Sequence, residues 1–295
     1  MAINKLPLLY ISLLLSYTKI LAQPFTDIAS FSTQQLNTKY TSNIGKNTTT
    51  NYFAGLLVPL KIDSNNNIII RINGEELATR NNAYDATKGR LYALTFGIGM
   101  QHYFSKKLSA VLLLMPKIAS DFSEKINQFD RQYGGSLLVQ YKIGKNFRAK
   151  AGLFYNKEPF GNFFVPLFGV DWQISPRWML YGTFPLINRL EFKIDEHFYT
   201  GLGARIYGRS YRLNSYWNRN YIWNQENQIK YFFDYYITKK LVCYAELGRT
   251  LGYGPKQIMF NKSRDNIVLN SPLYQPIQQG FFVNVGVAFR IRTGI

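Results

Sequence analysis

Cys243 is the one thiol in these 295 residues, so a disulfide framework, a CxxC redox pair and a multi-thiolate zinc site are all excluded. Histidine is nearly as scarce. His102 and His197 are the two present, too few for a histidine-rich metal centre, and a carboxylate site would have to be gathered from scattered acids. Acidic residues are also few: 17 Asp and Glu stand against 35 Lys and Arg, a formal charge of +18. With only 18% charged residues and 16% aromatic ones, the chain is neither a polybasic tail nor disordered, because it holds enough apolar surface to offset chain entropy. Beyond the first segment no apolar run approaches the ~18 residues of a membrane helix, so helical spans are excluded. P-loop, HExxH and EF-hand patterns are missing, and no metal or cofactor is expected.

Residues 1–23 carry Lys5, the apolar run Leu6–Leu15 and the ending Ile20-Leu21-Ala22-Gln23-Pro24. That is the layout of a secretory signal cleaved after Ala22 or Gln23, and the run is too short for the ~20 residues of a spanning helix. Removing Lys5 and Lys19 takes +18 to about +16. No cysteine stands at the cleavage site, which argues against a lipid anchor. The expected organisation is a signal peptide over 1–23 and one β-domain over 24–295.

The remaining chain alternates at period two. Phe281, Val283, Val285, Val287, Phe289 and Ile291 share one face, while Phe282, Asn284, Gly286, Ala288 and Arg290 share the other. The same split separates Tyr92, Leu94, Phe96, Ile98 and Met100 from Ala93, Thr95, Gly97, Gly99 and Gln101. It recurs over 147–155 and 229–237. Alternation does not say which face is wet: a soluble sandwich hides its apolar face in a core, whereas an outer-membrane barrel turns it to lipid.

Connection lengths decide between them. Strands at roughly 26–37, 47–61, 66–73, 89–104, 107–118, 131–143, 146–156, 162–173, 176–184, 188–194, 198–208, 227–237, 240–250 and 280–292 make about fourteen, with 66–73 and 188–194 the weakest. Tight turns at Ser105-Lys106, Gly144-Lys145, Ser175, Glu196 and Thr238-Lys239 alternate with longer segments such as 119–130, 209–226 and 251–279. An up-and-down antiparallel transmembrane β-barrel has this asymmetry, with short periplasmic turns and long external loops. Tyr103, Phe104, Tyr141, Phe147, Trp172, Trp178, Phe198, Tyr235 and Tyr236 near the turns, and Phe163, Phe164, Phe184 and Phe281 at the far ends, suit two interfacial girdles.

The last strand, Asn284-Val285-Gly286-Val287-Ala288-Phe289-Arg290-Ile291, resembles the C-terminal β-signal of Gram-negative outer-membrane proteins. That resemblance implies recognition of Asn284, Gly286, Phe289 and Ile291 by the barrel assembly machinery. It departs in position, since Arg292-Thr293-Gly294-Ile295 follow. With the segment from Phe168 to Pro185, the chain is similar to an uncharacterised family of outer-membrane β-barrel proteins, which implies a location and a fold and supplies no catalytic residues.

Candidate chemistry is thin. Outer-membrane lipid hydrolases carry a His and a Ser two residues apart, where the base activates the hydroxyl; His102 is followed at that spacing by Phe104, and His197 by Tyr199. Gly201-Leu202-Gly203-Ala204-Arg205-Ile206-Tyr207-Gly208 lacks the spacing and the helix of a dinucleotide loop. No enzyme is expected. The inward face should carry Arg148, Lys150, Asp171, Glu191, Lys193, Arg205, Lys230, Asp234, Glu246 and Arg290, either lining a pore for small polar or anionic solutes or pairing across the lumen. Segment 209–226 interleaves Tyr211, Arg212, Tyr216, Trp217, Arg219, Tyr221 and Trp223 with asparagines. It reads as strand extensions with aromatic packing, or as an external surface for lipopolysaccharide or glycans. The expected partners are outer-membrane lipid and lipopolysaccharide, with no nucleic acid, and the expected state is a monomer. The signal reading has a direct check: N-terminal sequencing of the exported protein is expected to begin at Gln23 or Pro24, and a start at Met1 would overturn it.

Overall fold

The computed structural model describes residues 24–39, 46–81, 89–158, 161–213, 220–251, 256–261 and 279–293. The expected signal segment lies outside them. Fifteen strands form: β1 (Phe25–Lys39), β2 (Lys46–Lys61), β3 (Asn66–Asn81), β4 (Gly89–Tyr103), β5 (Leu108–Ser120), β6 (Arg131–Lys142), β7 (Phe147–Glu158), β8 (Gly161–Gln173), β9 (Trp178–Phe184), β10 (Ile187–Lys193), β11 (Phe198–Leu213), β12 (Asn220–Tyr236), β13 (Leu241–Thr250), β14 (Lys256–Asn261) and β15 (Phe281–Arg292). Each of β1 to β13 pairs antiparallel with its sequence neighbour, and β15 joins β13 to β1, closing the sheet. β14 pairs only with the far part of β12, so the closed wall has fourteen strands, the expected number.

Closure lets each of the fourteen wall strands find partners on both sides, so their backbone needs no solvent to satisfy it. The alternation then sorts side chains. Leu94, Phe96, Ile98 and Met100 of β4, Ile229, Tyr231, Phe233 and Tyr235 of β12, and Val283, Val285, Val287 and Phe289 of β15 are exposed on the outer surface. Gln101, Lys230, Asp234, Asn284 and Arg290 are buried on the inner one. This is a soluble protein turned inside out: a continuous apolar belt far larger than water tolerates, around a polar interior.

The expected strand ends fall furthest short of the observed ones in three places. β3 continues to Asn81, β11 to Leu213, and β12 starts at Asn220. Trp172, Trp178, Tyr141, Tyr235 and Phe104 do form an exposed ring beside the turns, but Tyr236 is buried inside the barrel, because it shares the inward parity of Asp234.

Six tight turns lie at one end, and five use one device. Asp63, Ser105, Ser175, Asp195 and Thr238 each place a side-chain oxygen where the N–H groups two and three residues later donate to it, at 2.7 to 3.3 Å. These are the local side-chain turns that Asp, Ser and Thr favour. In the sixth turn Gly144 holds the equivalent place. An exposed apolar residue precedes each: Ile62, Phe104, Ile143, Ile174, Ile194 and Ile237.

The donated N–H bonds hold the Asp63 and Asp195 carboxyls below their usual value of 3.8, for Asp63 together with the Asn66 amide, which leads the effect. A depressed folded value means the stabilisation is present above pH 3.8 and is lost as pH falls through the folded value. Exchange of Asp63 and Asp195 for Asn is therefore expected to flatten the acid limb of a thermal melt recorded between pH 5 and pH 2, against a steeper decline in the parent protein.

Candidate functional site in the barrel lumen

The inner surface is organised in three layers. Nearest the turns, an extra residue in β1 shifts its register against β15 between Asp27 and Ala29. Such a bulge reverses the parity of what precedes it. Asp27 and Phe25 therefore point inward, opposite Arg290 and Arg292. Arg290 Nε and Nη2 donate to Asp27 at 2.5 and 3.0 Å, and its Nη1 donates to Asp234 at 2.6 Å. Arg189 adds a second guanidinium to Asp234 at 3.3 Å. Arg292 grips both oxygens of Glu191 at 2.8 and 3.0 Å, and Tyr181 donates to the same carboxylate at 3.2 Å.

Phe25 sits among these cations. The Arg290 guanidinium lies 3.8 Å from its ring centroid, and the Tyr181 ring meets it edge-on at 5.7 Å. β1 and β9 are far apart around the wall, with β15, β13, β12, β11 and β10 between them on the shorter path, so Phe25 and Tyr181 bridge the lumen.

On the wall itself the charges are paired between neighbouring strands. Lys150 contacts Asp171, which Arg148 also reaches at 3.3 Å. Lys230 donates to Glu246 at 2.6 Å, with Asn284 donating to the same oxygen at 2.9 Å. Thus Arg148, Lys150, Asp171, Glu191, Lys230, Asp234, Glu246 and Arg290 stand on the inner face as ion pairs. Lys193 ends β10 on that face, and Arg205 stacks on the Tyr207 ring at 4.5 Å. Arg71, Lys117 and Arg205 make no ion pair among the described residues; Arg71 donates to the Asn73 amide at 3.3 Å, and Lys117 lies 5.3 Å over the Tyr211 ring.

The third layer corrects the reading of 209–226 as an external segment. β11 and β12 stay paired from Phe198–Tyr235 to Leu213–Asn220, and β14 adds a third strand on the far side of β12. This flap bends over the mouth and touches the opposite wall, where Arg212 bridges to Ser120 of β5 in parallel register. Arg209 pairs with Glu75 of β3 and with Glu226 at 3.1 Å. Tyr211 donates to Glu75 at 2.6 Å, Ser210 donates to Glu158 of β7, and Gln132 of β6 donates to the Ser210 carbonyl at 2.9 Å. The Asp121 N–H donates to the Arg212 carbonyl at 3.0 Å, and the Tyr221 hydroxyl donates to the Phe129 carbonyl at 3.0 Å.

Apolar contact explains the bend. Leu77, Leu91, Ala93 and Ala119 are inward-facing positions without polarity, and Tyr211, Leu213 and Ile222 of the flap pack on them. Tyr211 and Arg212 are 0% and 2% exposed, so they offer no outer surface to a glycan. Trp223 lies in β12 against Gly208, where a Cβ would meet its ring nitrogen at 2.9 Å. Tyr216, Trp217 and Arg219 lie outside the described residues.

The residues expected to form a β-signal make contacts within the barrel. Asn284 bonds Glu246, and a Cβ on Gly286 would collide with the Tyr244 ring. Phe289 faces outward, while Ile291 lies opposite Thr26 at the seam with β1. His102 bonds Asn66 at 2.7 Å on the outer face near the turns, and His197 lies in the turn before β11. Asp27, Arg71, Glu75, Lys117, Glu158, Arg189, Arg209, Glu226 and Arg292 are inner charges that sequence reasoning missed. Arg189 was readable, since it shares the parity of Glu191 and Lys193.

Apolar wall, polar lumen and closed antiparallel sheet together define a membrane-spanning β-barrel. The chain belongs to the DUF6268 family, a domain of unknown function, whose family model matches residues 18–290. A search of curated proteins finds no match. Among solved structures it is similar to the COG4313 outer membrane channel from Pseudomonas putida F1, at 11% identity and a TM-score of 0.45, covering 94% of this chain and 100% of that one. It is also similar to the P. putida toluene transporter TodX, at 10% identity and 0.40, covering 90% of each chain. A third is the translocator domain of the autotransporter NalP from Neisseria meningitidis, at 7% identity and 0.39, covering 97% and 95%.

Removing one partner from a buried ion pair costs about 3–5 kcal/mol, because the other charge is left uncompensated. Arg290→Ala strands two carboxylates, Asp27 and Asp234. Its unfolding free energy from denaturant titration in detergent is expected to fall by that order, with a lower midpoint, and an unchanged midpoint would show that the network contributes nothing to the barrel.

Proposed function

We propose that the protein is an outer-membrane channel passing small polar solutes with a preference for anions, its mouth narrowed by the flap of β11, β12 and β14. The membrane reading draws support from the apolar belt, from the aromatic ring beside the tight turns and from the collection of those turns at one end. The passage reading is carried by one observation: Arg71 and Arg205 face the lumen without an ion pair among the described residues, whereas Lys150, Lys230 and Arg290 on the same inner face are matched by carboxylates. Unmatched cations along a lumen attract anions.

Water supports the same reading. The side-chain oxygens of Gln132, Asn224, Asn227, Gln228 and Asn284 and the nitrogen of Gln140 are buried without a hydrogen-bond partner among the described residues. Leaving such groups dry costs about 1–3 kcal/mol each, so the interior favours solvent.

A second reading is a sealed scaffold, favoured by the flap bonds and by the bridge between Phe25 and Tyr181. Planar-bilayer recording separates the two. Small discrete steps with anion preference are expected, with charge reversal at Arg71 and Arg205 removing the preference, and Arg209→Ala raising the step size by loosening the flap. No steps over many insertions of both the parent protein and Arg209→Ala would leave the sealed barrel standing.

A further inference from the structure

The outer wall of the barrel carries a depression over its first four strands. Across β1, β2, β3 and β4 the outward row at one level is Phe31, Ala54, Gly74 and Leu94, paired in that order. Below it stand Leu56, Ile72 and Phe96, and above it Tyr52, Glu76 and Tyr92. Two small residues among bulky ones leave a depression of about 350 Å³, which Phe122 also walls. A Cβ on Gly74 would meet nothing within 4 Å. Phe122 is held at a φ of 49°, rare for a residue with a side chain, and its ring lies nearly parallel to that of Tyr92 at 6.0 Å.

Above this depression, at the loop end of the same four strands, the outward positions are cationic. Lys39 of β1 lies opposite Lys46 of β2, Arg80 of β3 opposite Thr48, and Arg90 of β4 opposite Ala78. All four are exposed. Arg90 reaches Glu76, on the rim of the depression, at 3.4 Å. Glu76 is the one acid on this outward face among the described residues. A greasy groove topped by cations complements one kind of molecule, an amphiphile with an anionic head.

We propose that this face of β1–β4 binds a single phosphorylated, multiply acylated lipid of the outer leaflet, with an acyl chain over Ala54 and Gly74 and its phosphates at Arg80, Arg90, Lys39 and Lys46. The spacing suits it. Four residues separate Leu94 from Arg90, and at ~3.3 Å per residue the groove lies ~13 Å below the cation, within the reach of a saturated fatty acyl chain. Arg80 stands six positions beyond Gly74, and Lys39 and Lys46 stand eight beyond Phe31 and Ala54, so the cations step outward from Arg90 and their long side chains reach toward the headgroup level from apolar walls. The site is separate from the flap, so it rests on the membrane reading and not on solute passage.

Native mass spectrometry of the folded full-length barrel in detergent, titrated with bisphosphorylated lipid A, dephosphorylated lipid A or phosphatidylethanolamine, tests it. One bisphosphorylated lipid retained per barrel, in preference to the other two, is the expected result. Joint replacement of Arg80 and Arg90 by Gln is expected to weaken retention about tenfold and to abolish the preference for phosphate. Gly74→Phe, at a position where a Cβ meets nothing within 4 Å, puts a ring into the groove and is expected to weaken it about tenfold as well, whereas Leu137→Phe on the outward face of β6 leaves it unchanged. The heat-dependent gel shift of a folded barrel verifies that each variant is intact. Equal retention of phosphorylated and dephosphorylated lipid, or retention untouched by both sets of changes, overturns the site. A parent barrel that does not insert into lipid vesicles overturns the membrane reading along with it, while insertion without preferential retention overturns the site alone.

Discussion

The constraint from which the rest follows is reversed solvation. Once the apolar face of each strand is outermost, the polar face has nowhere to go but inward, and the charges it carries must be neutralised there or hydrated. The lumen does both. Close to the turns it holds a compact network in which Asp27, Asp234 and Glu191 are shared among Arg189, Arg290 and Arg292, with Phe25 and Tyr181 filling the space between. On the wall, cross-strand pairs such as Lys230 with Glu246 neutralise one another locally.

Where the inner face departs from polarity, the departure is informative. Leu77, Leu91, Ala93 and Ala119 would be ill placed in a watery mouth, and the flap covers them with Tyr211, Leu213 and Ile222. Polar contacts from Arg209, Ser210 and Arg212 to β3, β7 and the 121–130 connection then fix where the flap rests. Hydrophobic burial bends the hairpin inward, and hydrogen bonds select its landing point.

Much of this was legible in the sequence. Period-two alternation, the asymmetry of the connections and the count of strands all follow from local rules that closure reinforces. The losses have separate physical causes. β3 was cut at Asn73 because Gly74-Glu75-Glu76 reads as a break, which removed Glu75 from view. β5 carries Val111-Leu112-Leu113-Leu114-Met115, an unbroken apolar run with no phase, so Lys117 could not be assigned to a face. Asp27 was beyond any parity argument, since the bulge in β1 reverses the alternation. Segment 209–226 reads as strand extensions or an external surface from its own polar and aromatic residues, and only the apolar inner positions of distant strands show that it folds back. Pairing contacts between strands remote in sequence leave no local mark.

The seam between β1 and β15 has a temporal meaning. Asp27 and Arg290 are 263 positions apart, so the salt link between them closes a ring spanning nearly the entire polypeptide. Until the final strand arrives, Asp27 and Asp234 lack the guanidinium that joins them, and Phe25 lacks the cover of Arg290 and Arg292. A prematurely terminated chain leaves Asp27 without its guanidinium and Asp234 with Arg189 alone, beside open strand edges, a state unlike the finished cylinder.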